Sequence, residues 1–265
     1  MSIRIAIASQ KGGVGKTTCA MNLSVALSEL GYRVLLIDTD PQGAINLSLK
    51  KGHSEFAGLV DVLNKKAKLT DVLIQTKSPG LSLLPKGRLA MSKVPQYEQL
   101  IFVDKAWPAL VDACDPKYDF ILMDTPAGMG MITQACMRAA SDVMVPTKAD
   151  FLSLRSVHQV LQVIDALAEE GGPSLLGFVV TMFEKEQAHS YKVAGDLWRD
   201  FPQVFETTIP RSDVYLRASE LGVPLAFLSK KTHPEGRRFT ALAQEVLNTL
   251  QGEPDGSEEE IRHLL

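Results

Sequence analysis

The stretch from Ser9 to Thr18, Ser-Gln-Lys-Gly-Gly-Val-Gly-Lys-Thr-Thr, decides the fold of this chain. It follows an apolar run, Ile3 to Ala8, and precedes a segment, Cys19 to Leu30, in which apolar residues recur at helical spacing. This order predicts a strand, a glycine-rich loop and a helix. Because glycines have no Cβ, the backbone N–H groups of such a loop can converge on an anion, and the positive N-terminus of the helix faces the same point. The anion expected there is the phosphate chain of a nucleotide.

The side chains of the loop predict how the nucleotide is held. Lys16 is expected to reach the β- and γ-phosphates, the hydroxyl of Thr17 to ligate Mg²⁺, and Thr18 to donate to an α-phosphate oxygen. The predicted nucleotide-binding residues of the loop are Lys11, Gly12, Gly13, Val14, Gly15, Lys16, Thr17 and Thr18. The alternative is a Gly/Lys-rich turn without a ligand, which is disfavoured because four residue types stand at fixed spacing between a strand and a helix.

An aspartate ends another apolar run, at a position where open α/β sheets bind ligands, beyond the carboxyl end of a strand. Asp124 is assigned to Mg²⁺, commonly through a water molecule, and an aspartate that merely caps the strand is the alternative. The segment Gly128 to Gly130 follows and is expected to be a switch whose backbone N–H senses the γ-phosphate.

Two further aspartates follow the apolar run Val34 to Ile37. Asp38 and Asp40 would share a face of a continued strand, but Pro41 breaks the strand and lets the two side chains point differently. The alternative to a functional pair is an Asx turn at a strand end.

Apolar, β-branched runs of strand length alternate with helical segments along the chain. Since the runs are continuous rather than alternating, they predict strands covered on both faces, in an α/β fold with a doubly wound, mostly parallel β-sheet flanked by helices. The expected strands are Ile3–Ala8, Val34–Ile37, Leu81–Leu84, Phe120–Met123, Val143–Val145 and Leu176–Thr181. The expected helices are Thr17–Leu30, Tyr97–Ala113, Met131–Ala139, Ser153–Glu170, Gln187–Phe201 and Arg238–Gln251. Residues 1–251 are predicted to form one nucleotide-binding domain, and residues 252–265 an acidic C-terminal tail.

Composition narrows the functional classes. With 265 residues, 45% of them hydrophobic, the chain is long enough to bury one sizeable core. A net charge of -3 means that any contact with nucleic acid must come from a local patch or from pairing two copies. The three cysteines are far apart without C-x-x-C spacing, which disfavours disulfides and zinc and favours a cytoplasmic protein. No leader segment and no apolar run of membrane-spanning length is found, so no stable membrane insertion is expected.

The loop departs from the usual Gly-x4-Gly-Lys-Ser/Thr pattern, because Gln10 stands where that pattern has glycine and a second lysine, Lys11, follows it. The form Lys-Gly-Gly-x-Gly-Lys-Thr resembles the deviant Walker A motif of the ParA/MinD family of dimerising ATPases. The likeness is greatest to the short, Soj-type ParA members and extends from Ile3 to about Leu250. It implies a P-loop NTPase fold, ATP and Mg²⁺ as cofactors, and a homodimer formed with ATP in which Lys11 touches the partner's phosphates.

The resemblance also assigns roles to residues outside the loop. Asp-x-Asp-Pro-Gln-Gly resembles the motif after the second strand of ParA proteins, which implies that Asp40 orients the attacking water and that Asp38 assists near Mg²⁺. The implied catalytic residues are Lys11, Lys16, Asp38 and Asp40, and the implied metal site is Thr17, Asp38 and Asp124. The segment Ile209-Pro210-Arg211 resembles a late ParA segment that packs on adenine, which implies base contacts by Pro210 and Met182.

For function, the resemblance implies slow ATP hydrolysis that a partner of ParB type, or a cargo adaptor, accelerates. The ATP dimer is expected to bind DNA without sequence preference, to associate with the nucleoid, and to partition or position a chromosome, plasmid or protein complex. The candidate DNA-binding residues are Lys230, Lys231, Arg237 and Arg238, with Lys192 and Arg199 as a second group. For both groups, a solvated charged face is the alternative.

Two other functions share the same loop. A MinD-like membrane switch would end in a basic amphipathic helix, but Ser257 to Leu265 contains three consecutive glutamates that anionic lipid repels. An iron-sulfur reductase of the nitrogenase iron protein type would need two cluster cysteines from each subunit. Cys136 follows the switch and Cys114 lies before the preceding strand, so burial as a small packed side chain is the better reading of Cys136.

Overall fold

A computed structural model describes residues 1–43, 45, 56–103, 105–221, 223–228 and 233–252. The strands of these residues are β1 (Ile3–Ile7), β2 (Val34–Asp38), β3 (Ile74–Gln75), β4 (Leu81–Leu84), β5 (Phe120–Asp124), β6 (Asp142–Lys148), β7 (Ser174–Phe183) and β8 (Ile209–Pro210). They form one sheet in the order β3-β4-β2-β5-β1-β6-β7-β8. Every neighbouring pair is parallel except β3 and β4, so the predicted mostly parallel sheet is confirmed.

Helices connect the strands and cover both faces of the sheet. They are α1 (Lys16–Glu29), α2 (Leu59–Leu63), α3 (Leu69–Val72), α4 (Val94–Phe102), α5 (Ala106–Cys114), α6 (Met131–Ala139), α7 (Phe151–Ala168), α8 (Ala188–Asp200), α9 (Asp213–Leu221) and α10 (Pro234–Gln251). Short 3-10 turns span Met91–Lys93, Asp115–Lys117 and Leu225–Phe227. Helix α10 ends before Gly252, which has the left-handed φ of 71° that closes many helices.

Alternate residues of the central strands enter two separate apolar cores, as the pleat of a strand requires. Ile5 and Leu122 pack on the side of α1 and α10, whereas Ala6 and Ile121 pack on the side of α4 to α8. All four side chains are fully buried. Each buried large apolar side chain contributes at most about 1.5–3 kcal/mol to stability. The doubly wound arrangement predicted from the continuous apolar runs is therefore confirmed.

The topology places a crevice at the carboxyl end of β1. The chain leaves β1 toward β2 on one side of it, whereas the connection from β5 crosses to β6 on the other side. Such a reversal separates the two loops and opens a ligand-binding crevice beyond the strand ends. The glycine-rich loop follows β1, so it lies at this point.

The prediction of one helix from Tyr97 to Ala113 is wrong. Helix α4 ends at Phe102 and α5 begins at Ala106. Pro108 gives the physical reason, because in one continuous helix it would remove an interior hydrogen bond and clash with the preceding turn. A new helix beginning at Ala106 instead places this proline in a first turn, where no N–H bond is needed.

Several short elements were not predicted, among them α2, α3 and the two-residue strands β3 and β8. The acidic tail cannot be compared, since residues 253–265 lie outside the described part of the chain, and the division at residue 251 stays a prediction. No helix of the described residues is long and apolar enough to cross a membrane.

Candidate nucleotide site

The loop between β1 and α1 forms an anion cradle. Gly13 and Gly15 have φ values of 70° and 87°, a left-handed conformation that favours glycine. No side chain caps the N-terminus of α1, whose first backbone bond runs from the N–H of Cys19 to the carbonyl of Gly15 at 2.8 Å. The N–H groups of the first turn therefore have no partner within the helix and can bind phosphate.

The two lysines of the loop have different surroundings. Lys16 is 7% exposed, and its ammonium donates to the carbonyl of Lys11 at 3.4 Å. Burial lowers the pKa of Lys16, while Asp124 and Asp40 oppose that shift. The Lys11 side chain is 32% exposed, and its ammonium lies 3.8 Å from a carboxylate oxygen of Asp150. Lys16 thus lies inside the cradle, and Lys11 lies at its rim.

Asp38 and Asp124 end adjacent strands and are register partners in the β2–β5 pair. The hydroxyl of Thr17 donates to Oδ2 of Asp124 at 2.7 Å. Burial raises the pKa of Asp124 to about 7, against the opposing effects of Thr17 and Lys16. Burial, with the neighbouring carboxylates of Asp124 and Asp40, also raises the pKa of Asp38 well above its usual range. The three residues of the predicted metal site, Thr17, Asp38 and Asp124, therefore lie close together, with two buried carboxylates beside one hydroxyl.

These oxygens fit a hard divalent cation. Oδ1 of Asp124 and Oδ2 of Asp38 are buried without a hydrogen-bond partner. A buried, unpartnered carboxylate oxygen is costly in a protein interior, and a cation would satisfy it. Across the described residues, no group of three or more His, Cys, Asp or Glu is arranged to hold a metal. A site with two such carboxylate oxygens suits Mg²⁺, because this ion takes one or two protein oxygens and completes its coordination shell with phosphates and water.

Asp40 stands in a tight turn beyond β2. Its N–H donates to Oδ1 of Asp38 at 3.2 Å, and its own Oδ1 accepts from the N–H of Gln42 at 2.8 Å. The turn closes with a bond from the N–H of Gly43 to the carbonyl of Asp40 at 2.8 Å. Both the Asx-turn alternative and the functional pair are therefore compatible with this geometry, because Oδ2 of Asp40 makes neither of these bonds.

The predicted switch segment is tied to the loop that precedes α1. Gly128 has φ of 90°, and its N–H donates to the carbonyl of Ser9 at 3.1 Å. Gly130 directly precedes α6. A change in the loop can therefore reach the start of α6 through this segment.

An apolar cavity adjoins the cradle on the β7–β8 side. Met182 and Pro210, the predicted base contacts, both line it, together with Gly15, Thr18 and Lys148. Met182 has the left-handed φ of 51°, which is uncommon outside glycine. Thr181 fixes this edge to the loop, because its hydroxyl donates to the carbonyl of Val14 at 2.8 Å. The cavity thus adjoins the cradle, and base contacts by Met182 and Pro210 stay a prediction.

Comparison with known proteins agrees with this geometry. A family model described as an AAA domain matches residues 2–176. Over 250 residues the chain is 32% identical to the chromosome partitioning protein ParA of Caulobacter vibrioides, covering 92% of this chain and 93% of ParA. The chain belongs to the ParA/MinD family of P-loop ATPases.

Solved structures of other proteins support the same membership. MinD from Pyrococcus horikoshii, complexed with Mg-ADP, is 26% identical with a TM-score of 0.74, over 93% of this chain and 96% of MinD. Cobyrinic acid a,c-diamide synthase from Mycobacterium smegmatis, with an ATP analogue and magnesium, is 26% identical with a TM-score of 0.76, over 95% of this chain and 96% of the synthase. The ParA/MinD architecture predicted from the loop is thus confirmed for the whole described fold.

The described members of the two candidate DNA-binding groups lie on opposite sides of the sheet. Lys230 and Lys231 lie outside the described residues. Helix α10, which carries Arg237 and Arg238, packs on the side of the sheet that α1 covers, whereas α8 packs with α7 on the opposite side.

The individual side chains differ in what they already contact. Arg237 and Lys192 are exposed. Arg238 donates to the carbonyl of Thr208 at 3.1 Å, and Arg199 pairs with Asp196 and Asp200 at 2.9 and 2.8 Å. These contacts compete with phosphate for Arg199 and Arg238.

The cysteines give the iron-sulfur alternative no support. Cys136 is fully buried, and its thiol lies 3.5 Å from the hydroxyl of Thr39. Burial raises the pKa of this thiol to about 12 and that of Cys114 to about 11. A cluster shared between subunits needs thiolates at a surface, and these side chains pack inside the subunit.

Sequence reasoning missed three charged residues at the same edge of the sheet, namely Lys86, Lys148 and Asp150. Lys148 ends β6 and its ammonium lies 3.2 Å from Asp150, which also accepts from the N–H of Ser153 at 2.7 Å. Lys86 follows β4 by two residues. Both lysines could have been found by searching strand ends for bases as well as for acids.

Proposed function

We propose that this chain is a Mg²⁺-dependent ATPase switch that dimerises around ATP, binds DNA without sequence preference and so positions a cellular cargo. The cargo is a chromosome, a plasmid or a protein complex, and a partner of ParB type or a cargo adaptor accelerates slow basal hydrolysis. Support comes from the family, from the naming of the Caulobacter relative as a chromosome partitioning protein, and from related structures that hold nucleotide with magnesium.

The observation that carries the proposal is the position of Lys11. Its ammonium lies outside its own cradle, 3.8 Å from Asp150, in an ion pair whose two side chains are each about one third exposed. Such a pair contributes about 1 kcal/mol or less, so it is readily exchanged for a stronger partner. A triphosphate on a facing subunit is such a partner, since two phosphate sites brought together repel one another unless cations lie between them.

Within each site, hydrolysis depends on positioning and on electrostatic stabilisation. Bound Mg²⁺ supplies neutralisation of the phosphate charge. Asp40 orients the attacking water, Lys16 stabilises charge on the transferring phosphoryl group, and Lys11 adds its charge from the partner subunit. Thr17 and Asp124 hold the metal, with Asp38 nearby.

The dimer is tested by measuring the mass of the Asp40→Ala variant in solution. This variant is expected to bind ATP without turnover, and therefore to be a dimer with ATP and a monomer with ADP by light scattering. This difference is expected because a ligand shifts an equilibrium only toward the state that it binds more tightly, and ATP, unlike ADP, is expected to bind the dimer more tightly. A monomer with saturating ATP would contradict the sandwich-dimer mechanism.

DNA binding by the ATP dimer accounts for nucleoid association, and it rests on contacts to phosphates, whose affinity falls as salt rises. Lys230, Lys231 and Arg237 are the leading candidates, because Arg238 and Arg199 already have partners within the chain. Pairing two copies brings two such patches onto one dimer, so that local positive charge can bind phosphates although each chain has a net charge of -3.

The DNA proposal is tested by replacing Lys230, Lys231 and Arg237 together with Glu in the Asp40→Ala background. A control variant carries Glu at three exposed lysines near the other end of the sheet, Lys66, Lys68 and Lys77. Both variants have the same net charge, so a specific patch predicts that only the first loses DNA binding at low salt. Equal retention in both would place the DNA surface elsewhere, with Lys192 the next candidate.

A further inference from the structure

Lys86 is a buried cation that the nucleotide site as described above does not use. It is 7% exposed, and its ammonium donates to the carbonyl of Pro41 at 2.8 Å. Burial lowers its pKa, against the opposing charges of Asp38 and Asp40. The lysine therefore contacts the turn that carries Asp40, at the residue directly after that aspartate.

The bond to Pro41 is one of the ties that the described residues form between this turn and the rest of the protein. On the other side of Asp40, Thr39 donates from its N–H and its hydroxyl to the carbonyl of Asp124, at 3.1 and 2.7 Å. The carbonyl of Thr39 accepts from the hydroxyl of Tyr97 at 3.1 Å. Asp40 is thus held between an anchor at Thr39 and an anchor at Pro41.

The backbone around Lys86 is itself fixed. The carbonyls of Pro85 and Lys86 accept from the N–H groups of Leu59 and Val60, at 2.9 and 3.0 Å. Gly58 lies so close that a Cβ at this position would be 2.3 Å from the carbonyl oxygen of Pro85. Lys86 therefore extends from a rigid platform to the Pro41 carbonyl.

Stability alone does not account for a lysine at this position. Burial of a charged group is costly, and its replacement by an apolar side chain of similar size is often neutral or stabilising. A group retained at such cost is expected to contribute where position matters. The segment it contacts carries the aspartate that orients water, where a displacement of about 1 Å can reduce turnover by about 100-fold.

We propose that Lys86 is a positioning residue for ATP hydrolysis, whose hydrogen bond to the Pro41 carbonyl fixes the turn that aims the carboxylate of Asp40. The proposal rests on the water-orienting role proposed for Asp40. Lys86 does not line the cavity beside the nucleotide-binding loop, and its ammonium bonds to Pro41, so its effect is expected on turnover and not on ATP affinity.

The test compares Lys86→Met, which keeps the volume and removes the donor, with Lys86→Arg, which keeps a donor and the charge. Lys86→Met is expected to lower kcat by about 10- to 100-fold with the Kd for ATP unchanged and without a loss in Tm, and Lys86→Arg to restore part of kcat. Lys77→Met, at an exposed lysine, is the control and leaves kcat unchanged.

A second measurement does not depend on turnover. In nucleotide-free protein, Lys86→Met is expected to speed amide hydrogen exchange across residues 39–43 and to leave exchange in α1 unchanged. If Lys86→Met does not fold, Lys86→Gln, which is too short to reach Pro41, replaces it in both measurements.

The proposal is overturned if kcat is unchanged, if exchange at residues 39–43 is unchanged, or if only Tm falls. A different result would show that the proposed function, rather than the role of Lys86, is wrong. In that case Asp40→Ala hydrolyses ATP at the wild-type rate, while the exchange measurement still reports whether Lys86 holds the turn.

Discussion

Lys11 and Lys16 lie five residues apart, yet their ammonium groups make different contacts. The buried Lys16 reaches into its own cradle, whereas Lys11, about one third exposed, lies against Asp150. Because Lys16 lies inside the cradle and Lys11 lies at its rim, substitution of Lys16 is expected to affect ATP binding and substitution of Lys11 to affect dimerisation.

Lys16→Ala is expected to weaken ATP binding by about 10- to 100-fold, since it removes a charge-assisted contact to the phosphates that is formed inside the cradle. Isothermal titration with ATP and Mg²⁺ measures the loss. Lys11→Ala is the matched control and is expected to bind ATP with nearly wild-type affinity in the monomer. Equal losses in the two variants would mean that both lysines bind the nucleotide of their own subunit.

The sequence predicted which loop residues and aspartates lie close together, because the strand, loop and helix pattern around them is local, whereas their functional roles stay predictions. Gly13 and Gly15 have the left-handed φ values expected of a phosphate loop, and Thr17 donates to Asp124, the other residue predicted to hold the metal. Lys86 and Asp150 were missed because their roles come from contacts with segments distant in sequence. Lys86 lies 45 residues from its partner Pro41.

At the scale of elements, close backbone packing at Gly58 joins the start of α2 to the turn after β4. An added Cβ would meet the carbonyl of Pro85 at 2.3 Å and the N of Gly87 at 2.5 Å. Both neighbours are backbone atoms, so neither can move without distorting a turn.

Gly58→Ala is expected to destabilise the fold by about 1–3 kcal/mol through this overlap. Chemical denaturation followed by circular dichroism measures the change. Gly195→Ala in α8 is the control, because nothing lies within 4 Å of its added Cβ and alanine favours a helix. A loss of stability at Gly195 as large as that at Gly58 would contradict the packing argument.

The elements that were predicted correctly are those with long apolar patterns. The six predicted strands all exist, since each is buried and continuous in hydrophobicity. Strands β3 and β8 have two residues each, too few for any periodicity. The break between α4 and α5 was missed because apolar residues continue through Phe102 and Val103, although Pro108 was a signal for it.

At the scale of the whole molecule, Arg4 ties β1 to the turn that precedes β5. Its guanidinium contacts Asp115 at 3.1 Å and Asp112 at 2.8 Å. The hydrogen bond from Arg4 is the largest cause that lowers the pKa of Asp115 to about 2, with bonds from Ser2 adding to it.

Asp115→Asn is expected to lower the free energy of unfolding by about 1 kcal/mol at neutral pH. In the unfolded chain this carboxyl titrates near pH 4, so the native state gains stability above about pH 4 and loses that gain as pH falls toward 2. The difference between wild type and variant should therefore disappear near pH 2 in urea titrations. Asp112→Asn is the control, since its side chain is 65% exposed and a smaller effect is expected. A difference that persists at pH 2 would contradict this linkage.

We propose above that Lys11 contacts the phosphates of the partner subunit's ATP and so stabilises the dimer. The most direct measurement is light scattering of Asp40→Ala and of Asp40→Ala combined with Lys11→Ala, each saturated with ATP and Mg²⁺ and checked for bound nucleotide. We expect a dimer for the single variant and a monomer with ATP still bound for the double variant. A dimer of undiminished stability in the double variant would contradict this expectation.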